Sequence, residues 1–313
     1  MSCATYGAAT SAVRRPRNRR TAGALMTIVW AGLSLGAVYA LIAIGYNITM
    51  TFGGVFNLAH GAFVVLSAFF SWFVIADQGW PWWTAALLGA AGGALLAGIE
   101  ELVAVRPVLR RENGHALLVT TVGAFVVIEG ILMATWGEEP KSIPFFGGQE
   151  ALTLLGGRVA RVDLWLIAVA VAAGVGLHLF SRRSLWGLAA RGATTDPDAA
   201  KLRGVNVAAL RTGAFALAGA LAGLLGPLVT PKTGASVGIA ITLTVFGFVA
   251  LAVGGFGSFP GSIVGGLVIG LVQSYSSRYL GVEYPPLLLF VLLLAVLVAR
   301  PTGLFGRRGL RAV

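Results

Sequence analysis

Asn57 and His60 stand three residues apart in GYNITMTFGGVFNLAHGAF, inside a stretch from Leu25 to Ile75 that carries no formally charged side chain. Residues three apart share one face of a helix. An amide and an imidazole on one face, with Gly53 and Gly54 loosening the backbone just before them, offer hydrogen bonds within an apolar segment. Tyr39, Tyr46 and Asn47 add polar atoms to the same stretch. Two uses fit the pair. It borders a polar path through a membrane, or it makes helix–helix hydrogen bonds, for which polar residues in membranes are commonly used. Glu129 in VVIEGILMATW poses a similar choice, because an ionisable residue inside a bilayer is costly and marks a functional position by default. Its other use is as a protonated or hydrogen-bonded glutamate facing the bundle. Glu100, Glu101 and His178 lie close to helix ends, so a proton relay through Glu129 has little support.

Other chemistries find no residues to carry them. GPLVTPKT, from Gly226 to Thr233, has the outline of a phosphate loop, but Pro231 stands where a glycine must bring backbone amides to phosphate. The chain therefore hydrolyses no ATP itself, and no Ser/His/Asp or paired-carboxylate constellation points to an enzyme. One cysteine, Cys3, excludes an intramolecular disulfide, and three isolated histidines give no metal-ligand spacing. No metal and no cofactor is expected.

The elements that must hold Asn57 and His60 follow from composition. Hydrophobic residues make up 57% and charged residues 11% of the 313, with mean hydropathy +0.85. A soluble domain has about a quarter charged residues. The expected fold is all-α, a polytopic transmembrane bundle; a β-barrel would show short alternating segments instead. The net charge of +11 is confined to short clusters between apolar runs: Arg14–Arg20, Arg106–Arg111, Arg182–Arg211 and Arg300–Arg311. That is the positive-inside pattern rather than a nucleic-acid face. Residues 1–24 and 301–313 read as basic cytoplasmic tails around a membrane domain at 25–300. The first apolar run reads as an uncleaved start-transfer helix, with Met26 as an alternative start.

Apolar windows fall at about 25–45, 60–76, 83–105, 116–136, 163–181, 211–230, 236–255, 261–280 and 285–300. If every basic cluster is cytoplasmic, each interval between clusters holds an even number of crossings. The interval from Arg111 to Arg182 holds two, around an acidic, external loop with Glu138, Glu139 and Glu150. The interval from Arg211 to Arg300 holds four. The first interval shows three, so either the amino terminus is outside or the chain crosses once more, and Gly45 to Phe56 supplies the candidate for a short glycine-broken crossing buried in protein. The expectation is an amino terminus inside and about eight spans, one of them glycine-broken. GGFGSFPGSIVGGLVIG places small residues four apart, Gly257 with Gly261 and Gly266 with Gly270, which lets helix backbones approach closely. GGVFNLAHG and GGFGSFPG are both glycine-rich breaks opening an apolar helix, the hint of a weak internal repeat.

Between Arg182 and Arg211 the chain reads RRSLWGLAARGATTDPDAAKLRGVNVAALR. Asp196 suits an N-cap, Pro197 the first helical position, and Gly204 the position past the end. Residues 198–203 are thus expected as a short helix across the cytoplasmic face. It lies at lipid headgroups or docks on a partner; spacing does not separate the two.

These residues together resemble one family, the membrane permeases of ABC importers for branched-chain amino acids. GLSLGAVYALIAIGYNITMTFGGVFNLAHGAF resembles the family's first helix and its asparagine-x-alanine-histidine-glycine segment. VRPVLRRENGHALLVTTVGAFVVIEGILMATWG resembles its central turn, LAARGATTDPDAAKLRGVNVAALR its ATPase-facing loop, and LAVGGFGSFPGSIVGGLVIG with ARPTGLFGRRGLR its closing signature. The resemblance covers nearly the whole chain after Met26 and implies residence in the bacterial cytoplasmic (inner) membrane. It implies pairing with a second, related permease, with cytoplasmic ATPase subunits and with an external solute-binding protein. It also implies roles. Tyr39, Asn57, His60, Gly61 and Glu129 would border the passage. Arg191, Asp196, Pro197, Ala200, Leu202 and Gly204 would couple to the ATPase. Gly53, Gly54, Gly254, Gly255, Gly257, Pro260 and Gly261 would form the breaks and close packing. Two departures stand out: Ala62 replaces the usual glutamate after the histidine-glycine pair, and many relatives carry glutamine near Glu129. Relatives of this type also import urea, short amides or sugars. An ion-coupled transporter with Glu129 as coupling residue, or a channel, are the remaining alternatives.

Overall fold

In lipid, only a structure that bonds every peptide group internally is tolerated, so long apolar sequences fold as helices. The computed structural model describes residues 17–109, 114–148 and 150–306; of the expected tails, residues 1–16 and 307–313 lie outside the described residues, while 17–24 form the start of the first helix. Among the described residues eight helices are long and apolar enough to cross a membrane, and Pro285–Ala299 is a shorter ninth apolar helix. The order is α1 Arg17–Gly53, α2 His60–Trp72 with a π turn Phe73–Asp77, and α3 Trp82–Glu100, which runs through a second π turn Glu101–Val105 into α4 Arg106–Leu109. Then follow α5 Gly114–Trp136, the antiparallel hairpin of β1 Ala151–Leu154 and β2 Gly157–Ala160, and α6 Arg161–Arg183. Two short helices, α7 Leu185–Thr195 and α8 Pro197–Leu202, precede α9 Val207–Thr233, α10 Ala240–Gly254, α11 Phe259–Tyr279 and α12 Pro285–Ala299. The bundle is all-α apart from that hairpin.

α1 is the axis of the bundle, with α6, α9, α10 and α11 packed around it. Glycine is what allows the closest crossings. A Cβ on Gly36 would lie 2.7 Å from the carbonyl oxygen of Gly266, and one on Gly270 would fall on the backbone of Gly32 and Gly36. α3 and α9 meet in the same way through Gly89 and Gly93 against Gly223 and Gly219. With no hydrophobic drive between helices in lipid, such backbone-to-backbone packing supplies van der Waals contact instead.

The extra crossing expected at Gly45 to Phe56 does not exist. α1 is continuous over 37 residues, about 55 Å at the usual rise per residue, and Gly45 lies within it. Gly45 is not a hinge but a seat: a Cβ there would collide with the imidazole of His60. The chain breaks only after Gly53, where Gly54 takes φ +69°. Three spans, not four, therefore separate Arg20 from Arg106, and the expected even count with both clusters at one end fails. The start of α1 sits with the hairpin, where the Arg158 amide donates to Thr27 Oγ1 at 3.0 Å and Trp30 Nε1 to the Leu154 carbonyl at 3.4 Å. Arg106, Arg211 and residues 303–305 gather at the opposite end, with the Leu304 amide bonded to the Val253 carbonyl at 2.9 Å.

Candidate functional site

α1 ends at Gly53, residues 54–59 turn back without helix, and α2 starts at His60 alongside Gly45, about two turns up α1. The break thus re-enters the bundle, and its polar groups are enclosed: Asn57 is 2% and His60 1% exposed. Asn57 holds the turn in two directions. Its Oδ1 accepts from the Ala59 amide at 2.9 Å, and its Nδ2 donates to Glu100 Oε2 at 2.7 Å. His60 packs edge-on against the Tyr46 ring at 5.5 Å, and its Nε2 has no hydrogen-bond partner. Gly61 lies against Thr244 of α10 so closely that a Cβ would meet the hydroxyl, itself unpartnered. Tyr39 stands further along α1, donating to Gln273 Oε1 at 2.6 Å and meeting Phe246 edge-on at 5.5 Å.

His60 and Gly61 are therefore held where α1, α2 and α10 meet, Asn57 faces α3 beside them, and Tyr39 sits further along α1 against Phe246 of α10 and Gln273 of α11. Glu129 is not part of this group. It lies half-buried on α5, between Val126, Val127 and Ile131 on the exposed face. A cleft of about 510 Å³ between α2, α3 and α5, lined by Phe63, Leu66, Leu96, Val127 and Ile131, runs to Glu100.

A second glycine break follows α10. Gly255 and Gly257 take φ +108° and +76°, and Ser258 caps α11 by accepting from the Gly261 amide at 3.1 Å. Pro260 sits in the first turn, where its missing N–H costs nothing. Gly254 and Gly261 touch backbone to backbone. Asn47 ties this break to α1: its Oδ1 accepts from the Gly257 amide at 2.7 Å and its Nδ2 donates to Ser262 Oγ at 2.5 Å. Both breaks thus turn at the same end of the bundle. Asn47 was visible only as one more polar residue in an uncharged stretch.

The segment 184–206 lies at that end too. Ser184 Oγ accepts from the Gly187 amide and starts α7, a helix the spacing of caps did not reveal. α8 has the expected ends: Asp196 Oδ1 accepts from the Ala199 amide at 2.9 Å, Pro197 follows, and Gly204 takes φ +81°. Ala200 points inward while Leu202 is 90% exposed. Arg191 Nη1 reaches the Ser181 carbonyl at 3.4 Å. Thr194 joins this segment to the first break: it donates to the Thr51 carbonyl at 3.2 Å and its methyl group sits beside Gly54. At the start of α9, just after the segment, the stem of Arg211 packs on Gly53.

Residues 28–297, enclosing both breaks and this segment, match the family described as "Branched-chain amino acid transport system / permease component". The chain belongs to this permease family. It is 31% identical over 289 residues to the high-affinity branched-chain amino acid transport system permease protein LivH of Escherichia coli (strain K12), covering 88% of this chain and 94% of that relative. It is 29% identical over 291 residues to the corresponding protein BraD of Pseudomonas aeruginosa, with the same coverage. A probable branched-chain amino acid transport permease protein of Methanocaldococcus jannaschii is 24% identical over 285 residues, 85% of this chain and 88% of its own. No solved structure matches the chain. As a permease with eight apolar spans, it is a multi-pass protein of the cytoplasmic (inner) membrane.

Proposed function

We propose that this permease is the membrane-spanning subunit of an ATP-driven ABC importer whose cargo is a branched-chain amino acid. The observation that carries the reading is the physical contact between the two breaks' end of the bundle and a capped, exposed segment. Thr194 of α7 touches Gly54, and Arg211 at the start of α9 touches Gly53. α8, with Asp196, Pro197, Ala200, Leu202 and Gly204, is a small rigid knob with an exposed leucine, suited to a groove on a soluble ATPase. Arg191 on α7 belongs to the same surface. The positive-inside rule puts this arginine-rich end in the cytoplasm, and the start of α1 then lies outside.

ATP binding in the partner ATPases moves α7 and α8, and the motion reaches the residue 54–59 turn. The turn and the start of α2 line the passage through Asn57, His60 and Gly61, with Tyr39 further along α1. The cleft reaching Glu100 opens on the α2, α3 and α5 face, where a second permease subunit would complete the passage. An external solute-binding protein delivers cargo. The chain itself catalyses no reaction and needs no cofactor; hydrolysis belongs to the ATPase subunits. An ion-coupled mechanism through Glu129 is disfavoured by that residue's partial exposure on a face of α5 with exposed Val126, Val127 and Ile131.

In a background lacking Cys3, cysteines at Asn57 and His60 should react with small polar reagents more readily than cysteines at the exposed positions Val122 and Val126, which lie outside the cleft. Labelling should rise further during turnover with ATP, since both sites are enclosed at rest. Equal protection of all four positions through turnover contradicts the passage reading and leaves Asn57 and His60 as packing residues.

A further inference from the structure

We propose that the adjacent carboxylates Glu100 and Glu101 are positioning residues that tie movement at the ATPase-facing end to the turn lining the passage. The inference rests on the coupling reading given above and adds the path the motion takes. Consecutive residues on a helix point about 100° apart, so the two side chains leave α3 in different directions. Glu100 meets Asn57 in the turn. Glu101 is 0% exposed and is bound to the start of α9, which directly follows α8. Its Oε1 accepts from Arg211 Nε at 2.8 Å and from Arg106 Nε at 3.3 Å. Its Oε2 accepts from Arg106 Nη2 at 3.0 Å and from Thr212 Oγ1 at 2.7 Å. Arg106 Nη2 also donates to Thr212 Oγ1 at 2.7 Å, and that hydroxyl reaches the Ala208 carbonyl at 3.0 Å.

Three properties make this a link rather than a passive anchor. The bonds are charge-assisted, roughly twice as strong as neutral ones, so α9 and α3 shift together. The π turn begins at Glu101, and an i→i+5 turn inside an α-helix is a local irregularity that recurs at functional sites. Arg211 belongs to both networks: its guanidinium binds Glu101 while its stem packs on Gly53. Displacement of α8 therefore reaches the 54–59 turn at both ends, directly at Gly53 and through Glu101, Glu100 and Asn57.

The test uses the complete complex in proteoliposomes, measuring cargo transported per ATP hydrolysed. Glu101→Gln weakens the arginine contacts, and Thr212→Val keeps the side chain's shape and the ion pairs while removing the hydroxyl that donates to Glu101 and accepts from Arg106. Glu101→Gln should leave ATPase subunits bound and ATP hydrolysis within about threefold, and lower the transport-to-hydrolysis ratio at least tenfold. Thr212→Val should lower that ratio about threefold in a stably folded protein. An unchanged ratio in either assembled variant overturns the link. If the wild-type chain purifies without ATPase subunits, the coupling reading itself fails instead.

Discussion

Gly204→Pro abolishes ATP-driven uptake while the protein still reaches the membrane. Gly204 adopts φ +81° and its amide donates to the Lys201 carbonyl at 2.9 Å. Proline is fixed near φ −65° and has no amide hydrogen, so both the turn and the bond are lost. α8 then cannot end where it does, and the knob proposed to meet the ATPase changes shape. Because α8 lies beyond the apolar spans, insertion and bundle packing are untouched. Uptake should fall by at least about a hundredfold, the loss expected when a rigid turn is replaced by an incompatible one at the coupling contact. Deleting Asp196 to Leu202 should have the same outcome. Transport assays set beside the amount of membrane-inserted protein check both, and normal uptake in either removes α8 from the coupling role.

The second large effect concerns the bundle itself. Gly270→Leu should leave little folded protein, because the three atoms nearest to a Cβ there are all backbone: Gly36 nitrogen, Gly32 oxygen and Gly36 Cα. A clashing side chain can rotate away, but a helix backbone moves only as a unit, so α1 and α11 must separate along their crossing. Overpacking costs about 1–3 kcal/mol where side chains adjust and more where they cannot. Gly130→Leu is the matched control, since a Cβ at Gly130 on α5 meets nothing within 4 Å. Thermal unfolding in detergent should place Gly130→Leu close to wild type and Gly270→Leu far below it. Equal stability of the two contradicts the close crossing.

The sequence carried the features that have a local cause. Apolar length fixed the spans, because lipid leaves no alternative to intrahelical bonding. Asp196, Pro197 and Gly204 announced α8, because each acts on its own helix end. The break after Gly53 was legible for the same reason. The extra crossing came from taking every basic cluster as cytoplasmic, which demanded an even count between Arg20 and Arg106. Gly45 then offered a place for it, because a glycine inside an apolar run reads as a break, whereas here it leaves room for His60, a residue that follows a turn in the chain. Asn57 with Glu100, Arg211 with Glu101, and Asn47 with Gly257 were invisible as pairs, since their partners are 43, 110 and 210 residues apart. Glu129 drew attention as the lone acid within its span; the structure instead sets Glu100, at a helix-to-π junction, against the break.

The central claim is that transport through this permease is driven by ATP acting at α7 and α8, not by an ion gradient acting at a buried acid. Uptake of radiolabelled leucine should be measured in proteoliposomes holding the complete complex, with ATP and the uncoupler varied independently. The account predicts uptake that vanishes without ATP and is unaffected by the uncoupler. Uptake that survives ATP depletion and collapses with the uncoupler contradicts it.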